Sequence, residues 1–165
     1  MITLTATEPL RAEHRQLLPE IERLRATADD LATVPSDSTI GQLDALLAFL
    51  RNHLIPHARA EEKVLYPEIA RCLGAANATA TMTADHEEVL RLIAELGEIR
   101  DGIQSGRADR AHAVALRRVL YGLYAILKLH FAKEEDLYLP ILDGALTADE
   151  ATTLFRRMEQ SATTA

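Results

Sequence analysis

Only one cysteine, Cys72, occurs in the 165 residues, so no disulfide can form within the chain and a reducing compartment is expected. Cys72 reads as a packing residue at a helix end. Tryptophan is absent and aromatic residues make up 4 %, while Leu, Ala, Glu and Arg abound, a balance that suits helices better than a sheet. No apolar run approaches the roughly 20 residues needed to span a bilayer. The opening MITLTATEPLRAEHR has no basic segment followed by an apolar one, so no signal peptide is expected and the chain is placed in the cytoplasm. Positive charge is also scarce. A net charge of −7 leaves no basic face for a phosphate backbone, so a nucleic-acid partner is excluded. The length suits a single domain over 1–165 that buries its core without covalent staples.

Apolar residues recur with helical period. The first seam runs through Leu10, Leu17, Leu18, Ile21, Leu24, Ala28 and Leu31, from a start near Thr7 with Pro9 in the first turn. ATVPSDST breaks it, and Ser36, Asp37 or Ser38 caps a second helix with Ile40, Leu43, Leu47, Leu50, Leu54, Val64 and Leu65 on its seam. Pro56 should kink that helix, because it removes the bond to the Asn52 carbonyl. LGAANATATMT reads as a linker. A third helix, from about Thr83, carries Val89, Leu90, Ile93, Leu96 and Ile103. After a turn at GIQSGRAD, a fourth carries Leu116, Val119, Leu120, Leu123, Leu127 and Leu137. Thr147 and Glu150 form a capping box for a short last helix over about 147–162. The fold class expected is all-α: an antiparallel up-down four-helix bundle over about 8–143, with a short C-terminal helix across one end.

Histidine placement then adds what a plain bundle does not explain. HARAEEKVLYP from His57 and HFAKEEDLYLP from His130 are near copies, each a His-x-x-x-Glu-Glu followed by a proline. His14 precedes His57 by 43 residues and His86 precedes His130 by 44, so the chain reads as two halves. Residues four apart share a helix face, which pairs His57 with Glu61 and His130 with Glu134. His14 and His86 lie in register with the apolar seams. At ~1.5 Å per residue, His14 and His57 both fall roughly 25 to 28 Å from the turn that joins their helices, and His86 with His130 also agree.

Four imidazoles and two carboxylates at one level of an apolar core need partners. A metal pair satisfies them together. Histidine nitrogen with bridging carboxylate oxygen suits iron or another divalent ion, and each ion would take two histidines and one oxygen from each glutamate.

Through these motifs, His, His-x-x-x-Glu, His, His-x-x-x-Glu with a following YP or LP, the chain resembles the hemerythrin-like family, the HHE cation-binding domain. The resemblance covers about residues 8 to 143. It implies a four-helix bundle with two iron ions bridged by two carboxylates and an oxo or hydroxo group, which binds or reacts with oxygen, peroxide or nitric oxide. The metal residues it implies are His14, His57, Glu61, His86, His130 and Glu134. Oxygen-carrying members add a histidine four residues after the one matching His86, where this chain has Leu90, and place the last carboxylate five residues after its histidine, at Glu135 here. Helix geometry favours Glu134, because four residues advance about 40° around the axis and five about 140°. His53, one turn before His57, is either a fifth imidazole ligand or a core histidine hydrogen-bonded to a neighbour.

Tyr66, Tyr121, Tyr124 and Tyr138 are read as packing residues that could also approach the site, Asp85 as an acid serving a helix dipole or backing a histidine, and His112 as exposed. The expected partner is a small diatomic or peroxide ligand. With one histidine fewer than the carriers, reaction is expected over reversible carriage, as a peroxide-decomposing or oxygen-activating activity. The alternative is a non-catalytic iron- or oxygen-sensing module that acts through a partner.

Overall fold

Capping residues and most prolines mark the boundaries of the helices, while Pro19 lies inside the first without ending it. The computed structural model describes residues 5–106 and 108–163, and no strand occurs among them. Helix α1 spans Glu8–Asp30, with Pro9 in its first turn where no N–H is needed. Helix α2 spans Asp37–Phe49, and Ser36 caps it: its hydroxyl accepts from the Thr39 N–H while Thr39 Oγ1 accepts from the Ser36 N–H. The second predicted helix then continues as α3, Ile55–Ala60, and α4, Tyr66–Leu73, with wide π-helical turns at Leu50–Leu54 and Glu61–Leu65 between the pieces. Gly74 ends α4 in the left-handed conformation, φ 64°.

Helix α5 spans Ala80–Ser105, so the linker before it is shorter than the sequence suggested, and the turn expected from Gly102 begins only after Ser105. Arg107 of that turn lies outside the described residues. Helix α6, Arg110–Lys133, is capped by Asp109, whose carboxylate accepts from the His112 N–H at 3.0 Å. It passes through a third π turn, Glu134–Tyr138, into α7, Leu139–Ala145. Helix α8, Ala148–Thr163, starts at the expected capping box, with Thr147 and Glu150 exchanging hydrogen bonds.

Each π turn is followed by one residue and then a proline: Ile55-Pro56, Tyr66-Pro67 and Leu139-Pro140. Proline cannot donate to the helical ladder, and the wide turn absorbs that loss by bonding residue i to i−5 just before it. A π turn also shifts the phase of everything after it. Leu137, extrapolated from α6 as a core residue, is 58 % exposed, while Leu139 and Leu142 are buried. Leu90 is also misplaced by the sequence pattern. It is 43 % exposed, on the flank of α5 beside the buried Val89 and Ile93.

Helix α6 packs along α1 on one side and α5 on the other; α2 lies against α5 and α1, and α8 lies on α3 and the second π turn. Two apolar clusters result. One gathers Leu17, Leu54, Val89, Leu127 and Phe131 with their neighbours; the other gathers Leu10, Val64, Met82, Leu139 and the inner face of α8. On every core helix the change from one cluster to the other falls at a histidine or glutamate of the repeat. Truncating one of these buried leucines to alanine costs about 2 to 5 kcal/mol. Among the described residues, no helix is long and apolar enough to cross a membrane.

Candidate metal centre

The polar layer between the two clusters contains His14 from α1, His57 from α3, Glu61 from the second π turn, His86 from α5, His130 from α6 and Glu134 from the third π turn, all buried. Glu61 Oε1 is 2.9 Å from His57 Nε2 and 3.7 Å from His14 Nε2, whereas its Oε2 is 3.4 Å from His86 Nε2 and 4.0 Å from His130 Nε2. Glu134 divides itself in the same way, with Oε2 3.4 Å from His14 Nε2 and Oε1 3.5 Å from His130 Nε2. Each carboxylate therefore turns one oxygen to each pair of histidines.

The outward nitrogens are tied just as regularly. His14 Nδ1 meets Glu135 at 2.7 Å, His57 Nδ1 meets Glu13 at 3.0 Å, His86 Nδ1 meets Glu62 at 2.8 Å and His130 Nδ1 meets Asp85 at 3.0 Å. An ionised carboxylate only accepts, so each Nδ1 carries the hydrogen and each Nε2 faces inward. Every one of these acids is the chain neighbour of an inner residue, and each serves a histidine on a different helix. Glu13 beside His14 holds His57, Glu62 beside Glu61 holds His86, Asp85 beside His86 holds His130, and Glu135 beside Glu134 holds His14. The four contacts close a ring around the bundle. Arg11 pairs with Glu135, and Lys133 pairs with Asp85.

Left to themselves, the inner groups are poorly satisfied. His14 Nε2, His57 Nε2, both oxygens of Glu61 and Glu134 Oε2 are buried without a hydrogen-bond partner. Burial alone would strip the protons from the histidines, but the facing carboxylates outweigh it: Glu61 and Glu134 raise His14, Glu61 and Glu13 raise His57 well above its usual value, and Glu134 and Glu61 push His130 up to about 10. Burial likewise opposes ionisation of Glu61, yet His57 and the other imidazoles hold its carboxyl well below the ordinary range. Metal ions would replace those protons. His14, His57, Glu61 and Glu134 bring donor atoms close enough together to hold one ion, and Glu61, His86 and His130 do the same beside them. This nitrogen and carboxylate donor set fits a borderline divalent metal.

Glu135, 29 % exposed at its side chain, lies outside this inner set and backs His14, whereas Glu134 is fully buried within it. His53 is a correction. It is exposed and stacks on Phe49 at 6.1 Å, off the buried stripe that runs through Leu50, Leu54, His57 and Glu61. His112 is partly covered and bonded to Asp109. Asp85 backs His130 rather than serving only a helix end.

Tyr66 is no mere packing residue. Its hydroxyl donates to Glu134 Oε1 at 3.0 Å and lies 3.3 Å from His86 Nε2 and 3.4 Å from His130 Nε2. The π turn at Glu61–Leu65 explains this, since it stacks Tyr66 above Glu61, where an α-helix would turn it aside. Glu13 and Glu62 went unread as histidine partners. Their signal is the repeated acid next to each inner residue, Glu13-His14 and Asp85-His86, Glu61-Glu62 and Glu134-Glu135.

Fold and site together define a helical bundle with a buried histidine and carboxylate cluster suited to cations. The model of the hemerythrin HHE cation binding domain matches residues 5–142, and again 77–162. The chain belongs to that family. Its second match starts at 77 against 5, the same offset as His86 from His14, as the repeat requires. Neither a curated protein nor a solved structure matches the chain.

Proposed function

We propose that this protein holds two iron ions and uses them to bind or reduce a small oxidant: oxygen, peroxide or nitric oxide. The observation that carries the reading is the division of Glu61 and Glu134, each with one oxygen toward each histidine pair. His14 and His57 would hold one ion, His86 and His130 the other, and the two glutamates would bridge. Iron supplies reversible one-electron oxidation and open coordination positions. The chain supplies the rest. Its outer acids fix the four rings, and Phe131, stacked on His14 at 4.4 Å between the apolar clusters, keeps water away. In the metal-free protein burial and the charges of Glu61 and Glu134 push the Tyr66 phenol far up, and its hydroxyl donates to Glu134 on the His86 and His130 side.

The test is iron loading without air, metal counting, and absorption spectra before and after adding oxygen or peroxide. About two irons per chain with oxo-bridged ferric bands support the proposal; no iron uptake, or a colourless site that retains only zinc, sinks it. A sensing role draws on a different observation, that the cluster ties α1, α3, α5 and α6 together, so that occupancy would change bundle stability. Catalytic consumption of peroxide separates the two readings: turnover favours the first, and a large metal-dependent melting shift without turnover favours the second.

A further inference from the structure

Beside the cluster, on the side where α3, α5 and α6 meet, lies a cavity of about 130 Å³. His57, His86 and His130 form its polar wall. The remaining wall is hydrocarbon from Leu54, Ile55, Val89, Leu90, Leu127 and Phe131. Four of these six, Leu54, Val89, Leu127 and Phe131, are buried core residues, so the space belongs to the interior. Its outer end lies at the exposed residues Arg59, Glu62 and Leu90.

This space is larger than a diatomic ligand needs. An engineered apolar cavity of about 150 Å³ in another protein takes up benzene or xenon. A cavity of similar size, walled mostly by hydrocarbon, is suited to a guest of about six heavy atoms and offers water few partners.

We propose that this cavity binds a small apolar organic molecule, about the size of a six-membered carbon ring, seated against the rings of the three histidines. The proposal rests on the reading of the centre as a site for small oxidants and adds to it a separate organic guest beside the cluster. The cavity itself is made by side chains alone, so its occupancy can be tested without metal.

Benzene is the probe, added to the metal-free full chain. At about ten times its dissociation constant it should raise Tm by about 3 °C, and the shift should go on growing with the logarithm of added benzene. Ala58, which also lines the space, can be enlarged to fill it. Ala58→Phe should abolish the shift, and Ala58→Leu, a smaller change that serves if the first variant fails to fold, should reduce it at least fivefold. Metal counting on each variant verifies that the cluster still assembles. Crystals of the metal-free protein under xenon pressure should show the gas atom between Val89 and Phe131. No shift with benzene, an equal shift in wild type and Ala58→Leu, or xenon found only elsewhere would overturn the proposal. Failure to take up iron with benzene still bound would count against the di-iron reading alone.

Discussion

The Tyr66 hydroxyl lies 3.0 Å from Glu134 Oε1, so a side chain of the first half touches the carboxylate of the second. The reverse contact has no counterpart. Aligning Glu61 with Glu134 puts Leu139 opposite Tyr66, and Leu139 is buried hydrocarbon. The two histidine pairs are therefore alike in their nitrogens and acids but unlike in what stands over them.

That asymmetry should be visible in iron-loaded protein. Tyr66→Phe should keep about two irons per chain, yet Mössbauer spectra that resolve two unequal iron environments in wild type should draw closer together. Peroxide consumption, if present, should fall about 100-fold, since one hydrogen-bond donor at a reacting centre is lost.

Glu134 and Glu135 should separate cleanly. Glu134→Gln keeps one oxygen but removes the negative charge and puts a non-coordinating amide nitrogen toward one histidine pair, so metal content should fall to one ion or less. Glu135→Gln, whose acid only backs His14, should keep two ions with affinity weakened about 10–100-fold. Equal loss in both variants, by metal titration, would contradict this division of roles.

Acid and base should act oppositely on the metal-free and metal-loaded forms. In the metal-free protein His14, His57 and His130 titrate above their unfolded value of about 6.5, so the stability they contribute is complete below pH 6.5 and declines as pH rises through about 10 for His130. Glu61, held low, contributes above about pH 4.5 and loses that contribution in acid. The metal-free Tm should thus fall between pH 6.5 and 10, while metal affinity, which requires those protons to leave, should rise over the lower part of that range. Melting curves at pH 6, 8 and 9.5 with and without metal decide it.

His53→Ala should leave metal content unchanged. The ring is exposed and touches only the edge of the core at Phe49, so the change in unfolding free energy should stay within about 0.5 kcal/mol. A lost ion in this variant would return His53 to the site.

The bundle and the inner cluster were legible because they rest on periodicity. Seam residues such as Leu10, Leu24, Leu43 and Leu120 are buried as their spacing predicts, and the histidine separations of 43 and 44 residues bring the rings to one level. What failed lay past a change of helical phase or off the seam. Leu137 lies within a π turn, where α-helical spacing no longer holds, and Tyr66, read as packing that could also approach the site, is carried over Glu61 by another. The prolines at 56, 67 and 140 marked all three sites, but proline tells only that a ladder bond is lost, not that the turn widens to absorb it. The outer acids were hidden differently, because each acts on a helix other than its own.

The ring of acids also has a consequence for assembly. Residues before Gly74 own His14, His57 and Glu61, and those after Thr79 own His86, His130 and Glu134. Each set has both imidazoles for one ion but only one of the two carboxylates that face it. Within a set, Glu13 reaches His57 and Asp85 reaches His130, whereas Glu62 and Glu135 cross to the other set. Neither hairpin could close its own cage. Cation capture would accordingly be the final event of maturation, and a loaded centre would certify that both hairpins had folded and docked.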